Sequence, residues 1–68
     1  MQLNDEKKRQ TKKVIEELLN VARKMDVKWQ EDYKEILFLL DKADRAVEKE
    51  DFALAAEMIG QVEARLQR

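Results

Sequence analysis

Between Glu48 and Phe52 one amphipathic pattern stops and another starts, and neither glycine nor proline separates them. In the run Ala46-Val47-Glu48-Lys49-Glu50-Asp51-Phe52-Ala53-Leu54-Ala55-Ala56, apolar residues flank four consecutive charged ones. A connection this short forces the two flanking helices to lie antiparallel. Asp51 can accept from the unpaired amides of the helix that follows it, which marks it as an N-cap. Ala55 and Ala56 then let two helix backbones approach closely.

The rest of the chain repeats the helical period. Val14, Ile15, Leu18, Leu19, Ala22 and Met25 fall within about 120° of arc at 100° per residue, with Val21 at the margin. This predicts a first helix over about residues 5–25, with Asn4 or Asp5 as its N-cap. Asp26 offers a second N-cap, so a boundary is expected near 25–28. No breaker enforces it, and a continuous bent helix is the alternative.

Trp29, Tyr33, Ile36, Leu40, Ala43 and Val47 recur at alternating steps of four and three, the spacing of a helical seam. The second helix is expected over about 27–48, with Leu37 and Leu39 beside the seam and Phe38 about 180° from its centre. The third is expected over about 52–67, with Phe52, Ala55, Ala56, Ile59, Val62 and Leu66 as its stripe. Gly60 lies inside it at a cost of about 1 kcal/mol relative to alanine. A close helix contact or a binding notch would explain that glycine.

The predicted fold is all-α: one domain over residues 1–68, either a small three-helix bundle or an antiparallel helical hairpin with an extended N-terminal helix. A 68-residue domain buries only about 60% of the surface its unfolded chain exposes. The chain has no cysteine and no histidine, so neither a disulfide nor a thiolate or imidazole metal site can staple it. Association with another chain, a second copy or a helical protein partner, is the expected source of extra stability.

Charge is unevenly placed. Residues 1–28 carry eight Lys/Arg against five Asp/Glu, a balance of +3, and residues 29–68 carry six against ten, a balance of −4. The two halves are complementary and should steer antiparallel packing, either within one chain or between two chains. The longest apolar run, Ile36 to Leu40, is five residues, far short of the roughly 18 of a membrane span. The polar start has no apolar signal-peptide core, so a cytoplasmic protein without membrane association is expected.

From Leu40 onward, the spacing of Leu40, Ala46-Val47, Asp51-Phe52, Ala55-Ala56, Val62 and Leu66 resembles the UVR motif, the helical hairpin of the excision-repair proteins UvrB and UvrC. The resemblance covers residues 40–66 and is most distinctive at Asp51-Phe52 followed by Ala55-Ala56. It implies hairpin-to-hairpin pairing with no catalytic role. The family usually has Arg-Asp three positions after the paired alanines, whereas Ile59-Gly60 stands here, so that charged contact does not carry over. Tetratricopeptide hairpins and small flagellar or secretion chaperones also place an acidic residue and an aromatic before alanines.

Residues that carry chemistry are scarce. Carboxylate pairs such as Glu31 with Glu35, or Glu48 with Asp51, belong to solvated helix faces and caps, because acid–base work needs a pocket that shifts a pKa. Gly60 is the only glycine, which leaves no phosphate loop. Thr11 and Tyr33 are the only hydroxyls, and neither has a base to activate it. No enzyme activity and no cofactor are expected.

The sequence points to a protein-interaction module, an adaptor, small regulator or assembly subunit, that buries helix faces against itself or a larger partner. Phe38, Leu54 and Met58 lie off the expected seams and are the candidate interface. The second reading is a small nucleic-acid-associated regulator. Lys7 to Lys13 holds five cations in seven residues, and Lys8, Arg9, Lys12 and Lys13 would meet phosphates. Glu16 and Glu17 interrupt that face, and no base-stacking side chains accompany it.

Overall fold

The computed structural model describes residues 3–67; Met1, Gln2 and Arg68 of the expected 1–68 domain lie outside them. Helix α1 spans Leu3–Ala22, a 3-10 turn spans Val27–Trp29, α2 spans Gln30–Glu48 and α3 spans Phe52–Leu66. They form a three-helix bundle of 44 × 17 × 16 Å. Helix α1 folds back onto α2, so the extended hairpin gives way to the bundle. Helix α2 packs against both neighbours, while α1 and α3 meet only sparsely. That imbalance positions the candidate site.

Helix α1 starts at Leu3, so Asn4 and Asp5 lie inside its first turn rather than at the expected N-cap, and it ends at Ala22, short of the expected residue 25. Its last α-type bond runs from the Arg23 amide to the Leu19 carbonyl at 3.0 Å, and the next two, Lys24 to Val21 and Met25 to Ala22, tighten to three-residue spacing. Asp26 does cap, but it caps the 3-10 turn. Its Oδ1 accepts from the Lys28 amide at 3.3 Å and its carbonyl from the Trp29 amide at 2.9 Å. Helix α2 therefore starts at Gln30, later than the expected 27, with Trp29 before it and no side-chain cap. The continuous bent helix is ruled out.

The α2–α3 corner shows how a chain turns without glycine. The Asp51 amide donates to the Ala46 carbonyl at 2.8 Å and the Glu50 amide to the Val47 carbonyl at 2.9 Å. This pair of bonds is a Schellman motif, which requires a left-handed residue after the helix. Glu50 supplies it, with φ 60°. Asp51 then caps α3, its Oδ1 accepting from the Leu54 amide at 3.2 Å.

The core is widest on α2, where Ile36, Ala43 and Val47 are fully enclosed and Leu39, Leu40 and Ala46 nearly so. Trp29 and Tyr33, at the start of the expected seam, are half-buried. Helix α1 contributes Ile15 and Ala22, and α3 contributes Ala55, Met58 and Val62. Removing a Val, Leu or Ile side chain from water stabilises the fold by roughly 1.5–3 kcal/mol, and Ile36, Val47 and Val62 are the largest side chains wholly removed.

Three expectations change. Helix α3 is rolled so that Met58 enters the core and Ala56 stays exposed, because α2 covers the Ala55–Met58–Val62 line. Gly60 is exposed, and a Cβ there would meet nothing within 4 Å, so neither a close intrachain contact nor a filled notch explains it. Val14, placed in the α1 stripe, is 40% exposed.

Candidate protein-interaction surfaces

The sparse meeting of α1 and α3 leaves an apolar groove on the side of the bundle away from α2. Val14 and Val21, seven apart and so on one face of α1, are 40% and 50% exposed along its edge. On the α3 side the same periodicity aligns Phe52, Ile59 and Leu66, all half-buried.

Two depressions follow this seam. One, of about 710 Å³, lies over Val14, Phe52, Ala56 and Ile59. The other, of about 600 Å³, lies over Val21, Met25, Trp29 and Leu66. Among the described residues, charge enters the first at Lys7 and Glu63. The Lys7 ammonium sits 4.8 Å from the centre of the Phe52 ring, which fixes the basic end of the groove beside the start of α3. Glu63 lies eleven residues further along that helix, about 16 Å away at 1.5 Å per residue.

The three residues singled out from the sequence fall on a different side, the outer face of α2 and α3. Phe38 is 58% exposed and Leu54 41% exposed. Met58 is buried at 9% exposure, and it lines a depression of about 360 Å³ with Leu54, Lys42, Arg45 and Lys49. As a primary contact Met58 is therefore corrected to a core residue, for the roll of α3 described above. Nor do Phe38 and Leu54 make one strip. Lys42 stands between them, its ammonium 4.9 Å from the Phe38 ring centre while its chain lines the Leu54 depression.

The basic face of α1 turns toward the acidic end of α2. Lys12 hydrogen-bonds and pairs with Glu48, and Lys8 lies 3.9 Å from Glu50. The hydrogen bond from Lys12, and then its charge, lowers the Glu48 pKa below its ordinary 4.5. The same bond raises Lys12 above its ordinary 10.5. Two of the four cations proposed for phosphate contact, Lys8 and Lys12, thus face carboxylates of their own chain, as the charge asymmetry predicts.

Three of the four carboxylates considered for acid–base chemistry, Glu35, Glu48 and Asp51, have structural partners. Glu35 Oε1 accepts from Arg65 at 2.6 Å, Glu48 holds Lys12 and Asp51 caps α3. Among the described residues no three carboxylates converge closely enough to hold a metal ion, and no helix is long and apolar enough to cross a membrane.

The α1/α3 groove escaped the sequence reading, although a signal for it exists. Val14 and Val21 occupy one edge of the α1 stripe, Ile15, Leu19 and Ala22 the other, and one neighbouring helix cannot cover both. No protein-family model, curated protein or solved structure matches this chain.

Proposed function

We infer that this chain is a non-enzymatic helical interaction module, an adaptor, small regulator or assembly subunit, that acts by burying a helix face of a protein partner. One observation carries the reading: the groove between α1 and α3 keeps Val14 exposed beside a floor of Phe52 and Ile59 and Val21 exposed beside Met25 and Leu66. A three-helix bundle whose central helix contacts both others lacks the fourth helix that would face it. An amphipathic helix with apolar residues at three- and four-residue spacing fits such a groove. The likeness of residues 40–66 to a pairing hairpin agrees with this use.

A photoactivatable residue tests the reading when placed at Val14, with Lys34, exposed on α2, as the control. Irradiation of the intact protein in its source cells is expected to join position 14, and not position 34, to another polypeptide. Equal yields, or none at either position, would contradict the reading.

A further inference from the structure

The geometry points to a second copy of this chain as the occupant of the α1/α3 groove, paired about a two-fold axis with the grooves antiparallel; this rests on the docking role inferred above. Among the described residues, the charged side chains lining the depression over Val14 and Phe52 are Lys7 and Glu63, one near each end, while Lys24, Asp26 and Arg65 line the other depression. A depression with a cation at one end and an anion at the other is complementary to itself when reversed. Two-fold pairing sets Lys7 of each copy against Glu63 of the other, whereas parallel pairing sets like charge against like.

Register supports the same pairing. Helices α1 and α3 run parallel, since each is antiparallel to α2, and the contact of Lys7 with Phe52 puts Val14 level with Ile59. Pairing Lys7 with Glu63 of the second copy centres the axis about halfway between the two levels, near residues 12–13 of α1 and 57–58 of α3. Val14 is then within about 2–3 Å of the axis level at 1.5 Å per residue, so this exposed valine of the depression packs on its own symmetry mate.

The pairing closes over apolar surface in a chain too small to bury much within itself.

Sedimentation equilibrium of the purified full chain, from micromolar to millimolar concentration at low salt, tests the pairing. The expected result is a concentration-dependent rise from 8.1 kDa to twice that mass. Lys7→Glu and Glu63→Lys should each weaken dimerisation about tenfold, because each turns two attractive rim pairs repulsive. The double variant should restore it. Val14→Asp should hold the chain at monomer mass with its helical circular dichroism intact.

A monomer at every concentration would overturn the pairing, as would a dimer indifferent to Val14→Asp or a double reversal that fails to rescue. A monomer whose position 14 still crosslinks to a different polypeptide defeats only the self-pairing. A monomer without crosslinks defeats the docking role as well.

Discussion

The Asp51 amide reaches back 2.8 Å to the Ala46 carbonyl, and the same residue's side chain then caps the next helix. One residue ends α2 and begins α3. The corner closes because Glu50 accepts a left-handed backbone with φ 60°, which costs a side-chain-bearing residue about 1–2 kcal/mol.

Glu50→Gly should therefore stabilise the fold. Relief of the left-handed strain outweighs the loss of the exposed 3.9 Å pair with Lys8, since such surface pairs contribute little. The expected gain is about 1 kcal/mol, or a Tm increase of roughly 4–8 °C. Asp51→Ala should move the other way by about 0.5–2 kcal/mol through loss of the cap. Thermal circular dichroism reads both.

Gly60→Ala should also stabilise in dilute solution. A Cβ at Gly60 meets nothing within 4 Å, so the helix gains about 1 kcal/mol of propensity without a steric cost. A lower Tm would show that the backbone there is approached by something the bundle does not contain.

The hairpin, the Asp51 cap and the pairing of basic and acidic halves were legible in the sequence, because each depends on neighbouring residues or on summed charge. The roll of α3 was not. Phe52, Leu54, Ala55, Ala56, Met58, Ile59 and Val62 surround much of that helix, so stepping 100° per residue leaves Met58 and Ala56 as competing core positions. Packing against α2 decides for Met58. The end of α1 was also hidden, since no breaker follows Ala22 and the tightening to 3-10 spacing comes from the chain's reversal at Asp26. The open groove depends on three helices at once, beyond what the periodicity of any one of them reveals.

Burial should separate Ile36 from Phe38, two residues away on α2. Ile36 is fully enclosed and Phe38 is 58% exposed. Ile36→Ala should cost about 2–5 kcal/mol, a large share of the stability of so small a domain. Phe38→Ala should cost no more than about 1 kcal/mol, the worth of its contact with Lys42. Urea unfolding of the two variants measures the difference.

The Lys12–Glu48 pair makes stability depend on pH at both ends. Glu48 has a folded pKa below 4.5, so its contribution is present above that value and lost as pH falls through the lowered folded pKa. Lys12 has a folded pKa above 10.5, so its contribution is present below 10.5 and lost as pH rises through the raised value. Both limbs describe one contact. Glu48→Gln should flatten the acid limb of the urea midpoint relative to the parent chain, and salt near about 1 M should shrink the difference because the pair is exposed.

The most direct test of the groove is an isotope-filtered NOE experiment on an equimolar mixture of labelled and unlabelled chains at millimolar concentration. The account predicts intermolecular NOEs to the Val14 methyl groups from α1 and α3 protons of the second copy. Intermolecular NOEs confined to Phe38 and Leu54, or none at all, would contradict it.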